Sequence, residues 1–264
     1  MTIGISATII SKNAGERIAL ALDSLAWCAD IVVVDSGSTD CTLDVVRGHK
    51  TRPRIVEHAW EGFNLQRKFA AGECRNDWVL MLDQDEECAE ALARELQELR
   101  EERLAGTAIL KMPRKNYVAG RYVRCWSPDY QTRVVHRERV EWDPRSAPEI
   151  RTPKAGFGVG KLRGAILHNR LTPYQPGDFA DPRQVPYATE LAVHLAKRGT
   201  RATLVNLLLR PWMTFLKYYV IRGSFLDGRF GLVIAYKTTV GVILKYSVLY
   251  GEEIKGEGNG AKRQ

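Results

Sequence analysis

The stretch Trp78-Val79-Leu80-Met81-Leu82-Asp83-Gln84-Asp85-Glu86 sets five apolar residues directly before three carboxylates. A short continuous apolar run is the pattern of a strand buried on both faces, and this one stops at Asp83. Three carboxylates within four residues repel one another unless a cation relieves them. A hard divalent ion does so while taking one or two carboxylates together with phosphate oxygens and water. The same residues also suit a solvated acidic turn, with Glu86 and Glu87 opening the next helix in accord with its dipole.

Working outward from this stretch, a second apolar run, Ile31-Val32-Val33-Val34, ends in Asp35-Ser36-Gly37-Ser38-Thr39-Asp40. Ile3 to Ile10 is β-branched and breaks at Ser11-Lys12-Asn13, and Arg54 to His58 reads as another short strand. Helical spacing is expected over Glu16 to Trp27, from Thr42 to Val46, over residues 63–75 and from Ala89 to Arg103. Strand-helix alternation predicts a mostly parallel sheet covered on both faces, whose ligands bind outside the carboxyl ends of the strands. Both acidic clusters fall at such ends. Asp35 closes a buried strand, where a carboxylate is costly without a partner, and a base N–H or a ribose hydroxyl would be one. Ser38, Thr39 and Asp40 equally fit the capping of the helix that follows.

Of 264 residues, 45% are hydrophobic and 27% charged, and the net charge is +8. That composition supports a well-buried core and excludes wholesale disorder. The basic excess suits nucleic acid, anionic lipid or phosphorylated substrates alike. Five cysteines, without a Cys-x-x-Cys pair or zinc-ligand spacing, read as reduced thiols. The start, MTIGISATII, lacks the basic and small-residue features of a signal peptide, so a cytoplasmic location is expected. Every apolar stretch of spanning length is interrupted by charge, the candidates near the C-terminus by Arg210, Lys217, Lys237 and Lys245, so no conventional spanning helix is expected. From Thr107 to His168 the pattern turns to short mixed strands. A Pro-rich stretch (Pro176, Pro182, Pro186) then leads into helices.

Residues 5–86 resemble the nucleotide-binding half of family 2 glycosyltransferases. The pieces that match are Ile9-Ile10-Ser11-Lys12-Asn13-Ala14-Gly15-Glu16, Val32 to Asp40, Gln66-Arg67-Lys68-Phe69-Ala70, and Asp77 to Glu86. Pro128-Asp129-Tyr130-Gln131-Thr132-Arg133 and Phe225-Leu226-Asp227-Gly228 resemble a narrower branch, the lipopolysaccharide core β-1,4-glucosyltransferases. The resemblance implies an α/β GT-A fold, Rossmann-like, over residues 1–173, with a nucleotide-binding half 1–103 and an acceptor half 104–173. A basic helical appendage would occupy 174–264. It also implies roles. Ser11, Asn13, Glu16 and Asp35 would line a uridine pocket, and Arg67 would face the nucleotide or its phosphates. Asp83 would contact the ribose, with Gln84 beside it among the donor-binding residues. Asp85 would bind Mg²⁺ or Mn²⁺, Asp129 would be the catalytic base, and Arg133 a charge partner for the diphosphate or acceptor. His168, after Ala165-Ile166-Leu167, would complete the metal site, as a histidine does in several GT-A enzymes; an ordinary hydrogen-bonded histidine is the alternative. Two positions depart from the branch: Lys68 stands where Asn is usual, and Ala147-Pro148-Glu149 replaces His-Glu.

The activity so implied is inverting transfer of a hexose, glucose in that branch, from a UDP-sugar to a lipopolysaccharide inner-core sugar. A divalent metal would stabilise the diphosphate leaving group and Asp129 would take the acceptor proton. Rival expectations are the same chemistry on a polyprenyl-phosphate or capsule acceptor, a non-catalytic nucleotide-sugar-binding membrane scaffold, and a basic RNA- or lipid-binding protein. The absence of a recognisable nucleic-acid module disfavours an RNA partner. Between His194 and Gly251, nine Lys or Arg residues face the single acid Asp227. Leu204, Leu208, Pro211, Phe215 and Tyr218 recur among them at helical spacing. Peripheral attachment to an anionic membrane surface is therefore expected, against the alternative of a helix packed on the catalytic domain.

Overall fold

The computed structural model describes residues 2–143, 151–169 and 184–261. Ala147-Pro148-Glu149, Pro176 and Pro182 lie outside them. The chain forms two compact units, Met1–Tyr117 with Ser127–Thr172, and Val118–Trp126 with Pro173–Gln264.

In the first unit the alternation of strand and helix runs β1 (Ile5–Ser11), α1 (Arg17–Asp23), β2 (Asp30–Asp35), α2 (Thr42–Gly48), β3 (Arg54–Glu57), α3 (Phe63–Gly72), β4 (Trp78–Asp83), β5 (Glu86–Cys88), α4 (Glu90–Gln97) and α5 (Glu101–Leu104). β6 (Thr107–Val118), β7 (Arg121–Tyr122), β8 (Asp129–His136), β9 (Val140–Trp142), β10 (Arg151–Pro153), β11 (Gly158–Lys161) and β12 (Ile166–His168) follow, β7 lying within the segment of the second unit. The main sheet has the order β3-β2-β1-β4-β8-β6-β12-β5. β1, β2, β3 and β4 are mutually parallel, whereas β8 runs antiparallel to both β4 and β6. This is the mostly parallel α/β architecture that strand-helix alternation predicts and the resemblance implies.

Side chains alternate across a strand, so each buried strand feeds two cores. Ala7, Ile9, Val33, Leu80 and Leu82 pack with Ile18 and Leu22 of α1 and Leu92 and Leu96 of α4. Ile10, Val32, Val34, Val79 and Met81 pack on the other face with Ala70 and Ala71 of α3. Every residue of β1 and β2 is buried, which accounts for apolar runs without polar alternation.

Three expectations of secondary structure are corrected. The helix expected from Ala89 to Arg103 is two helices, α4 and α5. Arg100 is extended between them (φ −117°, ψ 143°) and bridges Thr2, while Ile3 N–H bonds to Leu99 O; pairing with the N-terminal strand segment outweighs helix propensity there. The region after Thr107 is not built only of short strands, since β6 spans 12 residues. The third correction concerns the second unit, which holds α6 (Gln184–Lys197), α7 (Arg210–Leu216) and α8 (Gly228–Ala261). Ser224–Lys255 is a 32-residue helical stretch long and apolar enough to cross a membrane, by length and composition. An eighteen-residue apolar window within it carries no more than two charges, so Lys237 and Lys245 interrupt the apolar run less than the sequence suggested.

Candidate active site

The register brings the sequence clusters to one edge of the sheet. Ser11 pairs with Asp35 across β1 and β2, and Ile10 pairs with Asp83 across β1 and β4, so Ser11, Asp35 and Asp83 end adjacent parallel strands. β8 is antiparallel, and its first residues, from Asp129, therefore start at the edge where β4 ends.

At the β1–β2 end the loops are stitched to one another. Asp35 is fully buried, and its partners are internal: Oδ1 accepts the N–H groups of Gly37 (3.0 Å) and Ser38 (2.7 Å), and Oδ2 accepts Ser38 Oγ–H at 2.5 Å. The following turn thus satisfies the carboxylate, and no ligand is needed to explain its burial. Asn13, at φ 50°, donates its N–H to Ser38 Oγ (2.9 Å) and accepts Thr39 N–H on Oδ1 (2.8 Å). Gln84 Oε1 accepts the Lys12 N–H (2.9 Å) and Ser11 Oγ–H (3.2 Å). Ser11, Asn13, Asp35 and Gln84 therefore share one hydrogen-bonded rim. Glu16 stands exposed at the head of α1.

The acidic stretch divides in two. Asp83 accepts Arg67 Nη2 on Oδ1 and Arg133 Nη2 on Oδ2, both at 2.5 Å. Arg133 Nη2 also reaches Glu86 Oε1 (2.9 Å), which Arg114 Nη1 shares (3.0 Å), and Arg114 Nη2 continues to Asp129 Oδ2 (2.7 Å). Glu86 Oε2 closes the turn by accepting the Asp83 N–H (3.1 Å). Three arginines alternate with three carboxylates, and Arg67, Arg133 and Glu86 are 1%, 4% and 0% exposed. Burial opposes ionisation of Asp83, but Arg133 and Arg67 overcome it and hold the carboxyl well below the usual range.

A β-bulge supplies one arginine of this chain. Leu110 of β6 pairs with Val134, while the next residue, Lys111, pairs with Thr132, so Arg133 has no residue opposite it in that register. An extra residue of this kind bends the strand and re-aims its side chain, here onto Asp83 and Glu86. Beyond the bulge Arg114 and Asp129 lie directly opposite each other, which makes their contact a cross-strand ion pair. Gln131, two residues on along β8, donates Nε2–H to the same Asp129 Oδ2 at 2.7 Å.

Asp85 is left outside this neutralised chain. Its Oδ2 lies 3.5 Å from His168 Nε2, and both side chains are about one quarter exposed. His168 sits at the end of β12 between Asn116 of β6 and Glu86 of β5. Asn116 Oδ1 lies 3.0 Å from His168 Nδ1 and, as an acceptor, places the ring proton there, turning the Nε2 lone pair toward Asp85. Asn169, at φ 57°, lies 3.2 Å from His168 Nε2 and donates its backbone N–H to Asp85 O (3.0 Å). Among the described residues no group of three or more His, Cys, Asp or Glu could enclose an ion. Two protein donors fit a divalent cation whose remaining ligands are phosphate oxygens and water, not one caged by protein alone.

Sequence reasoning gave no role to Arg114, Asn116 or Gln131, and the alternative that Glu86 and Glu87 open a helix is corrected, since they open β5 and the helix begins at Glu90. Arg114 and Asn116 share the parity of buried Met112 on β6, so charged and amide residues at core-facing positions were the available signal. Lys68 is exposed on α3.

A partly exposed carboxylate and imidazole beside a stitched loop rim, at the carboxyl edge of a mostly parallel sheet, stand where α/β proteins of this kind bind their ligands. The sequence pattern of Glycosyl transferase family 2 matches residues 6–161, and the chain belongs to that family and is a glycosyltransferase. The lipopolysaccharide core biosynthesis glycosyltransferase LpsC of Rhizobium meliloti (strain 1021) is 27% identical over 257 residues, covering 93% of this chain and 92% of that protein. An uncharacterized glycosyltransferase of Rickettsia conorii (strain ATCC VR-613 / Malish 7) is 41% identical over 98 residues, 37% of this chain and 34% of that one. Among solved structures, S. aureus TarS 1-349 in complex with UDP aligns at a TM-score of 0.48 with 15% identity, covering 97% of this chain and 92% of that one.

Proposed function

We propose that the chain transfers a hexose, with glucose the first donor to test, from a UDP-sugar to an inner-core sugar of lipopolysaccharide, by metal-dependent single displacement with inversion. One observation carries the reading: Arg67 and Arg133 neutralise Asp83, so that Asp85, with His168 beside it, is the acid of the cluster free to act on a ligand. The acceptor class is supported by the likeness to a lipopolysaccharide core glycosyltransferase over nearly the whole of both chains. A glycolipid acceptor in the cytoplasmic membrane would place the enzyme at its inner face.

Asp85 and His168 would hold Mg²⁺ or Mn²⁺, which when bound offsets the negative charge that grows on the departing diphosphate. The rim of Ser11, Asn13 and Gln84, braced from behind by the Asp35 turn, orients the nucleoside. Arg133, drawn in by the bulge, and Arg67 keep Asp83 ionised and fixed behind the ligand. Asp129 takes the proton of the acceptor hydroxyl as the new bond forms. Arg114 and Gln131 both hold that carboxylate through Oδ2, which leaves Oδ1 for the proton.

Calorimetry of UDP with and without Mn²⁺, followed by a transfer assay, tests this. Asp85→Asn should lose the metal-dependent part of UDP binding, and Asp129→Asn should keep UDP binding while transfer falls about a thousandfold. UDP binding indifferent to metal in the wild type, or near-normal transfer by Asp129→Asn, would overturn the corresponding assignment. A panel of core oligosaccharide, polyprenyl phosphate and capsule glycan acceptors decides the acceptor.

A further inference from the structure

Among its described residues the second unit carries an exposed apolar surface. Residues 205–221 are helical, with α7 between two π-helical turns, Val205–Leu209 and Lys217–Ile221. Steps of four residues place Leu204, Leu208, Trp212, Leu216 and Val220 along one line, and these large side chains stand out of the fold: Leu204 is 74% exposed, Leu208 61%, Trp212 67% and Ile221, at the far end, 80%. The opposite side of the same segment is the one that packs, with Asn206 and Pro211 buried and Arg210 bonded to Tyr246 Oη at 2.7 Å. α8 extends the surface. Tyr236, Val240 and Ile243 recur at helical spacing and are exposed, and Tyr236 stacks on Phe215 at 5.2 Å between ring centroids. Phe215 in turn stacks on Tyr219 at 5.2 Å, and Tyr219 meets Phe225 edge-on at 6.4 Å.

A continuous surface of this kind is far larger than the isolated apolar residues that a soluble surface carries. Its charge selects the occupant. Exposed Lys197, Arg198 and Arg201 lie before the stripe, Lys217 along it, and Arg222 and Arg229 beyond it, and Asp227 is the one acid between His194 and Gly251. A second copy would set two cationic rims against each other. A nucleic acid would pair with the cations but leave Leu204, Leu208 and Ile221 in water. An anionic bilayer meets both demands, with acyl chains for the aliphatic line, the headgroup boundary for the aromatics, and anionic headgroups for the rim.

We propose that the stripe from Leu204 to Ile221, continued by Tyr236, Val240 and Ile243 of α8, lies flat in the headgroup region of an anionic leaflet. It anchors the protein without spanning the membrane. The half of α8 that faces away from this surface is already engaged, since Tyr246 and Leu249 are buried with Ala192 of α6 and Ala202; a helix lying in the interface keeps that packing. The inference deepens the peripheral location given above, and names the surface responsible.

The test uses the full chain with phosphatidylglycerol-containing and pure phosphatidylcholine vesicles. Flotation should be at least about tenfold greater with the anionic vesicles, and raised salt should weaken it. Brominated acyl chains should quench tryptophan emission in the wild type and much less in Trp212→Phe. Trp212→Ser with Ile221→Ser, exposed positions whose change spares the core, should lower vesicle binding about tenfold with an unchanged thermal midpoint and unchanged turnover of a soluble acceptor. No binding to anionic vesicles at any salt overturns the inference, as does a dimer in light scattering that the double variant dissociates, or quenching that survives Trp212→Phe undiminished. Loss of membrane binding with turnover intact concerns only the surface. Absent turnover with binding intact concerns only the transferase reading.

Discussion

Two aspartates two residues apart are expected to fail in different ways when neutralised. Asp83→Asn removes one of three carboxylates from a chain in which Arg67, Arg133 and Arg114 balance Asp83, Glu86 and Asp129. One guanidinium charge is then in excess among groups of which Arg67, Arg133 and Glu86 are nearly or wholly buried. Breaking a buried ion pair from one side costs about 3–5 kcal/mol, and because the Asp83 side chain keeps 28% exposure the lower end, about 3 kcal/mol, is expected. Asp85→Asn removes a carboxylate that lies 3.5 Å from His168 with both groups partly in water, and partly solvated contacts of this kind contribute about 0–1 kcal/mol. Urea unfolding without nucleotide or metal reads the difference. With m near 2–3 kcal/mol/M, Asp83→Asn moves the midpoint down by about 1–1.5 M, whereas Asp85→Asn moves it by less than about 0.5 M. Replacing Arg133 by Met in the Asp83→Asn background restores the charge balance and should recover part of the loss. If Asp83→Asn unfolds within about 0.3 M of wild type, or Asp85→Asn is the more damaged variant, the charge accounting is wrong.

Other expectations follow from groups around this network. Asn116→Ala takes the acceptor away from His168 Nδ1, so Mn²⁺ affinity in the presence of UDP should fall about tenfold in a paramagnetic titration, with little change in stability. Burial works against the charge of Asp30, but the Arg75 N–H, the Ser6 hydroxyl and Arg54 outweigh it and hold its carboxyl below the ordinary range. Its contribution is therefore complete above the unfolded value of about 3.9 and is lost as pH falls through the lower folded value, so Asp30→Asn should lower the melting point at neutral pH and flatten the acid limb. Of the five thiols only Cys41 is exposed, and burial pushes Cys74 and Cys88 up to about 12, so a disulfide reagent at pH 8 should titrate one thiol quickly in the native protein and five after unfolding.

The sheet was legible because its strands are buried on both faces, and continuous runs such as Ile31–Val34 and Trp78–Leu82 have no other common explanation. The gathering of the acidic clusters at one sheet edge was legible too, since strand ends are where acids appear after such runs. What the sequence hid were contacts fixed by register. Arg114 and Asp129 become opposite neighbours only once β6 and β8 are paired, and they are paired so only because Arg133 is skipped. A bulge leaves no mark in composition or periodicity. Asp35 shows the reverse difficulty: its burial suggested a ligand, and its own turn supplies the donors through Gly37 and Ser38. The break at Arg100 was missed because its partner, Thr2, lies about a hundred residues away at the start of the sequence.

The unlike surroundings of Asp83 and Asp85 follow from the strand ending between them. Asp83 is the last residue of β4 and shares the parity of Met81 and Val79, which face α3. Arg67 comes from that helix, one turn before Ala70 and Ala71, which pack on the same face, and so it meets Asp83 without leaving its helix. Arg133, re-aimed by the bulge in β8, reaches the same carboxylate from the neighbouring strand. An acid at position 83 is thus bound to meet two arginines, whatever the ligand does. Asp85 lies past the strand, in the turn to β5, where no pleat dictates its direction. It can meet His168, which β12 delivers from the far side of the sheet through pairing with Glu86. The first acid of the pair is therefore held by arginines of the fold and the second is left partly exposed beside His168, a division that the spacing alone does not encode and that pleat, bulge and register together produce.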